Sequence, residues 1–153
     1  MTVTSLQLYG FAFNNYLFGG AGSVHQVTSV EGLEALPSIR NQDDNRGYQD
    51  GMFSGNDFLA GRTITITILT VSGNGYSAQY NYNQLQAALL PQTSGTTTLQ
   101  FQMDVSHPLQ RIEARVRVNA TSVDPDYTYG YIKSQYSFFC PDPQYYDNTL
   151  QTA

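Results

Sequence analysis

Along most of this chain, apolar residues recur at every second position, the period of a half-buried β-strand. Residues 61–68 show it best. Ile64, Ile66 and Ile68 alternate with Thr63, Thr65 and Thr67, so the isoleucines face a core and the threonines face away from it. Residues 3–13 predict a strand with Leu6 and Leu8 on one face and Tyr9, Phe11 and Phe13 on the other, hence one with neighbours on both sides. Further strands are predicted over 24–31, 76–80, 97–103 and 110–119, and a long one over 127–140 with a kink near Gly130. Helical spacing occurs once: Asn81 stands as N-cap, Leu85, Ala88 and Leu89 form a stripe, and Pro91 stops it. Six to eight strands with one short helix predict a mainly-β domain, a β-sandwich or partly closed barrel with the helix at one end.

Two stretches break the pattern. Gly19-Gly20-Ala21-Gly22 reads as a turn. Residues 41–56 are polar and aperiodic, hold Asp43, Asp44, Asp50 and Arg46, and are interrupted by Tyr48, Met52 and Phe53. That is long for a loop in a compact domain, and such segments commonly contact a neighbour. At the far end, Pro141 and Pro143 bracket Asp142 after an aromatic run. Proline supplies no N–H, so sheet pairing stops there and a stiff, straight exit is expected. Residues 1–147 accordingly read as one domain and 148–153 as a C-terminal tail or the start of a linker.

With 153 residues the chain suits a single core. Only 12% of residues are charged, about half the usual ~25%, so Thr, Ser, Asn, Gln and Tyr must cover the surface. The net charge of -5 gives no bulk attraction to DNA or anionic membranes. No apolar run approaches the ~20 residues of a membrane span. Cys140 is the only cysteine, so an internal disulfide is impossible, which fits assembly in a reducing cytoplasm.

Candidate chemistry is sparse. Asp104, Ser106 and His107 bring an acid, a hydroxyl and an imidazole together, but a catalytic triad needs them to converge in space, and a polar turn explains them. Two histidines and one cysteine cannot close a common zinc site. Asp43-x-Asn45-x-Gly47-x-x-Asp50 resembles part of a calcium loop without its bidentate glutamate. Gly19 to Gly22 lacks the Lys-Ser/Thr of a phosphate loop. No catalytic, cofactor or metal site is therefore assigned. Arg111, Arg115 and Arg117 share one strand face with Glu113, which suits either a partner's carboxylates or a solvated face with cross-strand ion pairs. Twelve tyrosines without tryptophan suit sugar stacking and protein interfaces alike.

In order along the chain stand Val30-x-Gly32-Leu33, Pro37-x-Ile39-Arg40, Arg46-Gly47 and Asp50-Gly51. There follow Gly61-Arg62-Thr63-Ile64, Leu90-Pro91, Arg111-Ile112-x-Ala114-Arg115-Val116 and Phe138-x-x-x-Asp142-Pro143-x-Tyr145. Through their order and spacing, residues 20–147 resemble the N-terminal domain of distal tail proteins of long, non-contractile-tailed bacteriophages. The resemblance implies a β-sandwich with an accessory helix, forming a hexameric ring at the end of the tail tube. Such a ring joins the tube protein to the tail-tip hub, with tape-measure and receptor-binding proteins as further neighbours, and surrounds a DNA channel without binding DNA specifically. It implies a virion component assembled in the host cytoplasm, without membrane insertion or cofactor, and often followed by a second domain. Asp142, Pro143 and Tyr145 are then the domain-end signature, with Gln144 where the family often carries arginine. Arg62, Thr63, Thr65, Thr67, Arg111, Arg115, Arg117, Tyr48 and Phe53 are candidate interface residues. The threonine strand is expected to pair across subunits by its edge, and residues 41–56 to reach over a neighbour. A carbohydrate-binding sandwich and a tail-tube ring protein are the competing readings.

Overall fold

The computed structural model describes residues 9–103 and 109–147. Leu6, Leu8, Asp104, Ser106 and His107 lie outside them. The first described strand, β1 (Gly10–Phe13), turns at once into β2 (Tyr16–Gly19). Asn14 and Asn15 both adopt positive φ, 51° and 61°, the backbone of a two-residue hairpin turn, and Phe13 faces Tyr16 across it. Strand β3 (His25–Glu31) follows, then four two-residue strands: β4 (Ile39–Arg40), β5 (Asp44–Asn45), β6 (Met52–Phe53) and β7 (Phe58–Leu59). The long strands are β8 (Arg62–Thr70), β9 (Thr97–Gln102), β10 (Gln110–Ser122) and β11 (Ile132–Cys140), and β12 (Tyr146–Asp147) closes the described chain.

Eight strands form one antiparallel sheet in the order β2-β1-β9-β10-β11-β8-β3, with β12 on the side of β10. Strand β10 carries the chain between two layers. Its residues 110–114 pair with β9, and its residues 115–122 pair with β11 across a bulge between Val116 and Val118. The layers meet face to face, with Phe13 of one against Phe138 of the other at 5.1 Å in edge-on geometry. The end strands β2 and β3 do not pair with each other, so the sheet is a sandwich and not a closed barrel. Ile64, Ile66 and Ile68 are fully buried as their alternation demands, each contributing roughly 1.5–3 kcal/mol.

Several expectations shift. Strand β8 is central, paired with β11 and β3 on its two sides, so its backbone has no free edge to offer another subunit. Thr63, Thr65 and Thr67 can contact a partner only through their outward side chains. The bulge ends the alternation of β10, leaving Val118 exposed where the pattern put it inside. Helix α1 (Ala78–Ala88) begins earlier than expected, because Ser77 accepts the Tyr80 N–H and is the true cap. Asn81 is buried within the helix, and its amide donates to the Val71 carbonyl at 3.0 Å. The strand expected over 76–80 is thus a single bridge from Gly73 to Tyr76 followed by the first helical turn. Before β11 a short 3-10 helix, Pro125–Tyr129, is closed by Gly130 at φ 84°, where the kink was expected.

Candidate functional site

Residues 36–59 leave the sandwich as an arm. The aperiodic stretch proves to be paired backbone: Ile39 faces Leu59 and Arg40 faces Phe58, and farther out Asp44 faces Phe53 and Asn45 faces Met52. Asp43, in the stretch whose spacing resembles part of a calcium loop, accepts the Gly55 N–H at 2.8 Å and the Asn41 amide at 3.5 Å, so it braces the hairpin. The alternating pattern is missing because the arm has no core. Leu36, Ile39, Tyr48, Met52, Phe53, Phe58 and Leu59 are all exposed, Leu36 at 91% and Tyr48 fully. Two of these aromatics lie under arginines, Phe58 under Arg40 at 5.8 Å and Phe53 under Arg46 at 5.2 Å. Isolated exposed apolar residues are ordinary, whereas these seven lie together on one two-stranded projection.

The root of the arm is fixed from inside the sandwich. Gly32 runs at φ 83°, and a Cβ there would lie 2.1 Å from the Thr63 carbonyl oxygen, so only glycine lets the chain pass this close to β8. Arg62 is buried and not at the surface. Its guanidinium donates to the carbonyls of Gly32 at 3.1 Å and Leu33 at 2.6 Å and to the Tyr145 hydroxyl. The Tyr145 ring lies under that guanidinium at 4.5 Å and its edge meets Phe101 at 5.1 Å. Burial pushes the Tyr145 hydroxyl up to about 12 despite the nearby cation, and it stays a neutral donor to Leu33. The clamp therefore joins two motifs far apart in sequence, Gly61-Arg62 and Asp142-Pro143-x-Tyr145, to the base of the arm.

The closing segment is not the straight exit that its prolines suggested. Asp142 accepts the Gln144 N–H at 3.1 Å and the Tyr146 hydroxyl at 2.6 Å, which turns the chain back. Tyr145 then enters the interior, and Tyr146 and Asp147 pair with Arg111 and Gln110. Gln144 itself is exposed.

On the outer face of β10 and β11, Arg115 and Arg117 converge on Phe139, their guanidinium carbons 5.8 and 3.7 Å from its ring centre. Arg115 Nε is buried without a hydrogen-bond partner. Glu113, on the same strip, is engaged by Thr98 at 2.6 Å and Thr96 at 3.4 Å. Arg111 lies over Tyr146 at 6.0 Å, apart from that pair. Phe139 could not be picked out from sequence, because the register that sets it opposite Arg115 depends on a long-range pairing.

Deeper in, His25 is 2% exposed, with Nε2 2.7 Å from the Tyr16 hydroxyl and Nδ1 3.1 Å from Thr70 Oγ1. Burial lowers its pKa to about 4, so it is a neutral core imidazole. Among the described residues no group of three or more metal-ligating side chains forms, and no helix is long and apolar enough to cross a membrane.

No protein-family model and no curated protein matches the chain. Among solved structures it is similar to the crystal structure of SPP1 Dit (gp 19.1), described as a paradigm of the hub adsorption apparatus in phages infecting Gram-positive bacteria. The TM-score is 0.66 at 16% identity, over 92% of this chain and 53% of that one. The chain spans about half the length of that protein. The likeness is one of fold, and at that level it meets the resemblance carried by the motifs.

Proposed function

We propose that this chain is a structural subunit of the tip of a long, non-contractile phage tail. Six copies close a ring between the last ring of tube protein and the tail-tip hub, and DNA leaves through the centre. The observation that carries this reading is the arm. A coreless hairpin with seven large exposed apolar side chains projects from a sandwich whose fold is shared with a phage adsorption-apparatus protein. A subunit with one projecting patch and a different receiving patch makes head-to-tail contacts, and these close into rings when the rotation allows. The sparse charge of the surface suits such packing. In this reading Tyr48 and Phe53 reach the neighbour, Thr63, Thr65, Thr67, Arg111, Arg115 and Arg117 form outward contact faces, and Arg62 holds the arm's root. Residues 1–147 make the ring domain, with Asp142, Pro143 and Tyr145 closing it, and 148–153 continue as a tail or linker. Tape-measure and receptor-binding proteins are further neighbours. The assembled chain belongs to the virion, built in the host cytoplasm as a structural and not a catalytic component.

Negative-stain microscopy and native mass spectrometry of the purified chain test this. Single six-subunit rings are the expected result. Long stacks of rings would instead favour a tube protein, and a monomer at high concentration would overturn the ring. A second reading draws on Tyr76 and Tyr80, which stack at 4.2 Å and are half exposed, as a saccharide platform would be. Glycan binding by an isolated monomer would favour it.

A further inference from the structure

We propose that the strip formed by Arg115, Arg117 and Phe139 is the acceptor for the acidic arm of a second copy of this chain, an inference that rests on the ring reading above. Both guanidinium groups gather over one ring, Arg117 at 3.7 Å and Arg115 at 5.8 Å from its centre. Neither meets a carboxylate among the described residues, and Arg115 Nε is left unpartnered while buried. The nearest acid on the strip, Glu113, is engaged by threonines. Two arginines fixed in this way present planar donors suited to carboxylates.

The arm has the complementary charge. Residues 36–59 hold four acids, Asp43, Asp44, Asp50 and Asp57, against Arg40 and Arg46, which accounts for -2 of the chain's net -5. Asp44 and Asp50 are exposed near the outer part of the hairpin, beside Phe53 and Tyr48, so an acid and an aromatic can be presented together. Nucleic acid fits the strip poorly, because two arginines on a net-negative chain give little counterion release.

Geometry favours the second copy over the chain's own arm. A Cβ at Gly61, beside the root, would lie 3.0 Å from the Phe139 ring, so the arm leaves next to the strip. At about 3.3 Å per residue, Asp44 and Asp50 stand roughly 17 and 30 Å of chain beyond the Ile39–Leu59 pair. Asp44, paired with Phe53, is thus set well along the arm from its root, and Asp50 lies in the turn beyond it. Each subunit would receive one arm close to where its own departs.

Charge exchange on the full-length chain tests this. Arg115→Glu with Arg117→Glu should weaken ring assembly at least tenfold in sedimentation, as should Asp44→Arg with Asp50→Arg, and all four changes in one chain should restore it. Circular dichroism checks folding, and if the reversed strip fails to fold, Arg115→Gln with Arg117→Gln replaces it, with the same loss expected. Wild-type assembly by a folded strip variant, while a Tyr48→Ser, Phe53→Ser arm disassembles, would overturn the strip and leave the ring reading standing. Failure of the fourfold variant to recover assembly would also overturn it. Absence of rings in the unmodified chain would overturn both.

Discussion

The guanidinium of Arg62 donates to the main-chain carbonyl of Leu33 at 2.6 Å, tying the first residue of β8 to the base of the arm. The charge is buried without a carboxylate partner among the described residues and is balanced by carbonyl dipoles, the Tyr145 hydroxyl and its ring. Removing it strands buried acceptors. Arg62→Ala should therefore cost about 3 kcal/mol in urea unfolding. Tyr145→Phe keeps the ring and loses one hydroxyl, and should cost about 1 kcal/mol. A full-length Arg62→Ala chain as stable as the parent would refute the clamp.

Gly32 leads into the same junction. Alanine there meets the Thr63 carbonyl oxygen at 2.1 Å and must also hold φ at 83°. Backbone strain and the clash together should cost at least about 2 kcal/mol. Alanine at Gly75, also at positive φ but facing open space, carries the strain without the clash and should cost less. Parallel thermal melts of the two variants separate the contributions.

His25 predicts an acid-sensitive fold. Its pKa falls from 6.5 in an unfolded chain to about 4 in the fold. Between those values the unfolded state binds the extra proton, so stability is fully present above pH 6.5 and is lost as pH falls toward 4. The shift corresponds to roughly 3 kcal/mol as an upper figure. Chemical unfolding from pH 7.5 to pH 4 should show this decline, and His25→Gln should flatten it. An unchanged slope in the variant would assign the acid sensitivity to other groups.

Cys140 is fully buried at the end of β11, and burial pushes its thiol up to about 12 even with Arg62 nearby. Thiolate is the reactive form, so the native chain should resist a disulfide reagent at pH 8. Labelling should be at least about 100-fold slower than in denaturant. Rapid native labelling would mean that β11 opens at this end.

Period-two alternation made Ile64, Ile66 and Ile68 readable as core, because a paired strand buries one face whatever its partners are. It could not show that β8 is central, since strand order depends on pairings between distant segments. The β1–β2 hairpin was signalled by Asn14-Asn15 and was hidden by the apolar run on either side. The arm's existence was legible in its broken pattern, but its pairing was not, because a hairpin without a core has no buried face to impose alternation. Arg62 and Tyr145 stood out as motif residues, yet their contact joins positions 83 apart, and nothing local marks it.

The arm's aromatics separate assembly from folding. Tyr48 is fully exposed and Phe53 is 62% exposed, so neither supports the sandwich. Tyr48→Ser with Phe53→Ser should change unfolding free energy by no more than about 0.5 kcal/mol, the usual range for surface substitutions. If they anchor a neighbour, losing two aromatic contacts should cost assembly about 2 kcal/mol or more, roughly 30-fold in the concentration at which rings form. Sedimentation across a dilution series measures that shift, and melts of the same samples check stability. Loss of rings with an unchanged melt fits an arm that works between subunits. A large fall in stability with assembly intact would place these side chains against their own domain instead.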